Sequence, residues 1–212
     1  YSLTAVAEEY LLESSSNYFG FFWDLMIDNY QVSSFASLEK AILTDSPQAY
    51  GGGDIFKTHE EQIELLHRFT CGMHSMSMAS ALVWPKVMDF SQYRTMLDIG
   101  GSSGAHSIGA ALRLPNLQAI VLDFAQVCEV AEGYIVEYGL QDRVKTYEAN
   151  IWCDHWPSAD LHFFSNMYHD WPLTFSPVYF RYTVLLQKNG PGRRCHRPYR
   201  RHVRERARAH CG

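Results

Sequence analysis

The amino-acid sequence predicts an α/β fold, an incomplete and mostly parallel sheet preceded by a helical region, and three observations predict it. Residues Arg94 to Gly104, Arg-Thr-Met-Leu-Asp-Ile-Gly-Gly-Ser-Ser-Gly, read as a short apolar strand that ends in an acid and turns through a glycine-rich loop. A helix-like segment, Ala105 to Leu114, follows, and a second apolar run, Gln118 to Leu122, closes on Asp123. Upstream of Arg94 the apolar spacing is mainly helical, whereas downstream it alternates between strands and helices.

Taken in order, residues 1–90 form the helical region. One helix ends near Leu43, and Gly51-Gly-Gly53 marks a turn before the next. Thr58-His-Glu-Glu61 is a capping box, in which the threonine and the glutamate each satisfy an orphan N–H of the first turn. From it a helix runs through Ile63, Leu66, Phe69 and Met73, one apolar stripe at helical spacing. After the glycine loop, Val144 to Glu148 and Ala159 to Ser165 read as the third and fourth strands. Ser176-Pro177 then offers an N-cap and first-turn proline for a helix ending near Asn189-Gly190. The domain division is 1–90, 91–190 and a tail, 191–212.

The glycines let the backbone turn sharply and approach a ligand, and Asp123 stands where an acid can accept hydrogen bonds from ribose hydroxyls. A second reading gives the glycines no more than a tight strand–helix turn. Asp98 discriminates between ligands. A carboxylate at the strand end repels the pyrophosphate of a dinucleotide, whereas S-adenosylmethionine carries an ammonium, a sulfonium and no phosphate. If Asp98 merely caps the following turn, either ligand remains open.

Asp98-Ile-Gly-Gly-Ser-Ser-Gly104, Leu122-Asp123-Phe124 and Tyr168-His169-Asp170-Trp171-Pro172 together resemble three successive motifs of the small-molecule O-methyltransferases. Leu38 to Leu43, Ala49-Tyr-Gly51 and the methionine-rich helix from Phe69 resemble the same family upstream. The resemblance covers roughly residues 20–188 and implies a Rossmann-like domain that binds S-adenosylmethionine, with a helical substrate and dimerisation region before it. It implies His169 as general base, since a histidine titrating near neutrality can take the proton of an attacking hydroxyl. Asp98, Gly100, Gly101, Gly104, Asp123, Phe124, Asn150, Ile151 and Ser165 are then the cofactor residues. Met73, Met76 and Trp171 are the candidates for a small, aromatic, hydroxylated acceptor, although core packing explains the methionines equally well. Phe19, Phe21, Phe22 and Trp23 are dimer or core aromatics, a homodimer through the amino-terminal helices being what the family implies. His155 and His162 are read as structural.

Departures from the family pattern are specific. Ser102 takes the place of a common middle glycine. Ala149-Asn150 stands for Gly-Asp, and Ser165 for a lysine of many plant members. The glutamates that orient the family's histidine lie beyond the point where this sequence diverges, near Gly190. Besides an O-methyltransferase, two other readings follow: an impaired S-adenosylmethionine-binding or dimerisation module, and a nicotinamide-dependent oxidoreductase, which Asp98 argues against.

Composition sets the frame. The chain has 212 residues, five scattered cysteines without metal-ligand spacing, and a net charge of −5. No metal is expected, and a reduced, cytoplasmic setting follows from the cysteines. No apolar run is long enough for a bilayer, so a membrane partner is excluded. Residues 193–212 hold eight arginines and one acid, so the rest of the chain is strongly acidic. Such a tail can bind nucleic acid, but it lacks strand periodicity and is read as disordered or aberrant sequence; the first residue, Tyr1, suggests a fragment or processed product.

Overall fold

The computed structural model describes residues 2–30, 33–46, 48, 63–87, 89–151 and 154–167. The capping box at Thr58, the Gly51–Gly53 turn, the Ser176-Pro177 helix, His169, Asp170, Trp171 and the arginine-rich tail lie outside them. The chain divides into two compact units, Tyr1–Ser80 and Ala81–Gly212.

The first unit is helical. Helix α1 (Ala5–Leu11) starts where the Thr4 side chain accepts a bond from the Ala7 N–H, and α3 (Phe35–Thr44) where Ser34 does the same for Ser37. Between them, α2 (Gly20–Asp28) carries the aromatic run, with Phe19, Phe22 and Trp23 ring centroids 4.9–6.0 Å apart. The predicted apolar stripe forms α4 (Ile63–Ala81). Gly72 lets α2 and α4 approach closely, because a Cβ there would lie 2.7 Å from Leu25 Cδ2. The Ser75 hydroxyl donates to the Tyr18 carbonyl at 2.8 Å, a further tie between α4 and the start of α2.

The second unit opens with a short helix, α5 (Trp84–Val87), and then alternates: β1 (Thr95–Ile99), α6 (Ala105–Arg113), β2 (Gln118–Asp123), α7 (Ala125–Glu137), β3 (Val144–Glu148) and β4 (Leu161–Phe163). The strands are parallel in the order β3-β2-β1-β4, with Asp98 opposite Val121 on one side and Phe163 on the other. Met96, Leu97, Ile99, Val121 and Leu122 are fully buried, as expected of a parallel sheet covered on its faces. Helix α6 is rich in small residues and passes close to the Ala81 backbone; a Cβ at Gly109 would stand 2.5 Å from the Ala81 carbonyl oxygen. Arg143 closes the end of α6, its guanidinium donating to the carbonyls of Ala111 at 2.6 Å and Leu114 at 3.3 Å.

Strand β4 is shorter than the run from Ala159 to Ser165 that the sequence suggests. Asp160 is spent on the start of β1: its carboxylate accepts from the N–H groups of Arg94 and Thr95 at 2.9 and 3.0 Å. At the other end Asn166 takes the left-handed conformation, φ 53°, and turns the chain away. The chain runs outward from β1 to β3 and then returns to place β4 on the other flank of β1. That reversal puts the topological switch point at the carboxyl ends of β1 and β4, where the crevice of an open α/β sheet usually holds its ligand.

Candidate functional site

The glycine loop sits at this crevice. Gly100 and Gly104 have φ of +63° and +74°, a conformation that glycine adopts without strain. Gly101 is crowded by the protein itself, since a Cβ would lie 2.9 Å from both Asp98 Cγ and Val121 Cγ1. The turn is tied back to the sheet: the N–H groups of Gly100 and Gly101 donate to the Leu122 carbonyl at 2.8 and 3.4 Å, and that of Gly104 to the Gly101 carbonyl at 2.9 Å. The side chain of Met167 covers the position where a Cβ of Gly100 would stand.

Two carboxylates flank the loop. Asp98 is only 1% exposed and accepts from the Ser107 hydroxyl of α6 at 2.8 Å. Burial pushes its carboxyl up to about 7; the Ser107 bond opposes the shift and the negative charge of Asp123 adds to it. Asp123 accepts from the Ser102 N–H at Oδ2 and the Phe124 N–H at Oδ1, both at 2.9 Å. Burial again dominates, raising it to about 6 against the pull of those two bonds. A carboxylate has about four acceptor positions, so Asp123 retains capacity for hydroxyl donors.

These features fit the cofactor expected from the sequence. The loop's glycine N–H groups are engaged inside the protein rather than gathered for a phosphate, and the nearest charges are acidic. A cation gains from that field, whereas a pyrophosphate is repelled by it.

The remaining predicted residues are distributed as follows. Phe124 is the N-cap of α7. Asn150 and Ile151 follow β3, where the Asn150 N–H donates to Asp154 Oδ2 at 2.8 Å and the Asp154 N–H donates back to the Asn150 carbonyl at 3.0 Å. Ile151 packs on the cluster of Leu97, Ile99, Leu122 and Ala149, its carbonyl accepting from the Trp156 indole N–H at 3.2 Å. Ser165 follows β4 and lies 2.9 Å from His106 Nε2. Met73, half-buried, and Met76, 38% exposed, lie on α4 in the first unit. His162 is half-buried beside Trp156, and burial lowers its pKa; His155 is exposed.

Sequence reasoning missed Asp154, which locks the turn after β3, and His106 with Trp84. Asp154 bonds a residue four positions back, a turn of common polar residues with no distinctive pattern, whereas His106 and Trp84 are 22 residues apart and are brought together by the fold. Among the described residues no three His, Cys, Asp or Glu side chains gather as a metal site, and no helix is long and apolar enough to cross a membrane.

Known proteins similar to this chain share its fold. A 3-hydroxy-5-methyl-1-naphthoate 3-O-methyltransferase of Streptomyces sahachiroi is 30% identical over 172 residues, 81% of this chain and 49% of that protein. Bovine acetylserotonin O-methyltransferase is 24% identical over 55% of this chain and 32% of its own length. The chain thus spans half or less of the length of these relatives. The fold matches the structure of human N-acetylserotonin methyltransferase in complex with SAM, with a TM-score of 0.68 at 19% identity, covering 80% of this chain and 49% of that one. The structure of PigF with SAH aligns with a TM-score of 0.72 at 20% identity over 90% of this chain and 58% of that one. The family model for the O-methyltransferase domain matches residues 35–174, about two thirds of the chain, and the chain belongs to the O-methyltransferase domain family.

Proposed function

We propose that this chain binds S-adenosylmethionine at the carboxyl ends of β1 and β2 and serves methyl transfer to a hydroxyl of a small aromatic acceptor. The observation that carries the reading is the pair of acids, buried Asp98 and half-buried Asp123, on either side of a glycine loop whose glycine N–H groups are taken. The naphthoate and acetylserotonin enzymes among the relatives support an aromatic acceptor.

The bound cofactor supplies an electrophilic methyl group on a sulfonium. Asp98 attracts the ammonium, Asp123 accepts from the ribose hydroxyls, and Phe124, Asn150 and Ile151 border the adenosine side. His169, on the segment after β4, takes the proton from the acceptor oxygen as it attacks. Met73, Met76 and Trp171 contact the acceptor, and the chain pairs through its amino-terminal helices. Because the transfer removes a positive charge, holding the reactants in line supplies much of the acceleration.

Calorimetry and transfer assays test each part. S-Adenosylmethionine should bind, NAD should not, and Asp123→Ala should weaken binding by about 1–3 kcal/mol, the range for a hydrogen bond involving a charged group. NAD binding in place of S-adenosylmethionine would sink the cofactor assignment. With a panel of phenols, His169→Ala should keep the cofactor affinity and lose about 10²–10⁴-fold in rate. Equal rates would remove His169 from the chemistry, and binding with no transfer by the parent would leave a cofactor-binding module.

A further inference from the structure

His106 lies in the first turn of α6, directly after the glycine loop, and reaches two partners. The indole N–H of Trp84 donates to its Nδ1 at 3.2 Å, and its Nε2 stands 2.9 Å from Ser165 Oγ. The Trp84 indole has a hydrogen to give and no lone pair to offer. Nδ1 must therefore be bare, and the proton of the neutral imidazole sits on Nε2. Nε2–H then donates to Ser165 Oγ, which turns the serine's own hydroxyl hydrogen toward another acceptor.

The packing fixes this arrangement. Trp84 stacks on Phe163 with centroids 5.0 Å apart and an interplanar angle of 21°, and meets Phe90 edge-on at 4.9 Å. The His106 ring lies 5.1 Å from the same Phe163. Burial lowers the histidine to about 4, so it stays neutral at physiological pH and the bond from Trp84 is kept.

The strand order says which part of a ligand Ser165 meets. Asp123, for the ribose, ends β2 and Asn150 follows β3 on one side of β1, while Ser165 follows β4 on the other. An extended ligand whose ribose lies at β2 and whose ammonium lies at Asp98 has its amino-acid end toward β4. We infer that His106 is a positioning residue, locked as the Nε2–H tautomer by Trp84, that presents the Ser165 hydroxyl as a hydrogen-bond donor to the carboxylate of the cofactor's amino-acid moiety. This rests on the S-adenosylmethionine reading above.

Two measurements on the full chain test it. Nitrogen-15 NMR of labelled histidine should show His106 with Nδ1 bare and Nε2 protonated at neutral pH without any cofactor, and Trp84→Phe should release that preference. An Nδ1–H tautomer in the parent overturns the inference. By calorimetry, Ser165→Ala and His106→Phe should each weaken S-adenosylmethionine binding by about tenfold, and the double variant by no more than either alone. His106→Gln, which keeps an N–H donor, should recover part of the loss. Methylthioadenosine, which lacks the amino-acid moiety, should bind the parent and Ser165→Ala equally. Additive losses, or an equal loss with methylthioadenosine, overturn the inference while leaving the cofactor assignment intact. No binding of S-adenosylmethionine by the parent instead removes the cofactor assignment and the positioning role with it, whatever tautomer is found.

Discussion

Ser102 shows how a single residue can be held against its preference. Its φ is +52°, in the left-handed region, yet its N–H is bonded to Asp123. An L-residue there costs about 1–2 kcal/mol. Ser102→Gly keeps the N–H bond and relieves that strain, partly offset by greater freedom in the unfolded chain. The expected result is a gain of about 1 kcal/mol in urea unfolding with S-adenosylmethionine affinity unchanged, and a loss of stability would contradict it. Asp98 carries a different cost. Its folded value is about 7, above the ordinary carboxyl value, so the folded chain binds more protons than the unfolded chain between about pH 4 and 7. Its contribution therefore makes stability fall as pH rises through that window. Asp98→Asn, which can still accept from Ser107, should match the parent's melting temperature near pH 4, exceed it at pH 8, and lose cofactor affinity. A melting temperature below the parent's at pH 8 would show that the buried charge is paired. Both acids were legible because strand-end residues follow from pattern alone. The Trp84–His106–Ser165 set was not, because its members are separated by 22 and 59 residues and meet only after the strand order is fixed.

At the scale of elements, α6 runs against helix propensity. Gly109 sits in its interior, where alanine is ordinarily better by about 1 kcal/mol. Here the added methyl would meet the Ala81 carbonyl at 2.5 Å, backbone rather than a yielding side chain. Gly109→Ala is expected to destabilise the chain by about 1–3 kcal/mol, the range for overpacking, and a raised melting temperature would show that the contact relaxes. The first three strands and α6 were readable almost to the residue, because apolar runs bounded by glycine or acid leave few alternatives. Helix α7 had no such signal: its N-cap, Phe124, has no side-chain acceptor to announce a start. Strand β4 was read too long because the role of Asp160 depends on β1, outside its own segment, and the apolar run carries no sign of the turn at Asn166.

For the whole molecule, the pattern of alternating strands and helices indicated a mostly parallel sheet, but the order β3-β2-β1-β4 is a property of packing. It is that order that puts Asp123 and Ser165 on opposite sides of the glycine loop, giving an extended ligand two distinguishable ends. The match of the family model to residues 35–174 includes the His169 segment, so the chemistry proposed for it rests on motif, while the cofactor crevice rests on geometry as well.

The placement of β4 has a consequence for the order of folding. Strands β1, β2 and β3 with their two helices form from neighbours in sequence. Asp160, by contrast, binds the start of β1 across a separation of 66 residues. Loop closure and contact order favour forming the near pairings first, so β4 should dock after the transition state. Asp160→Ala is then expected to accelerate unfolding while leaving the refolding rate nearly unchanged, and stopped-flow mixing in urea would show it; slowed refolding would place β4 in the nucleus. If β4 docks last, the crevice between β1 and β4 is also the last part of the sheet to exist. A nascent chain would complete its β1–β3 half well before it acquired anywhere to hold the methionine end of its cofactor.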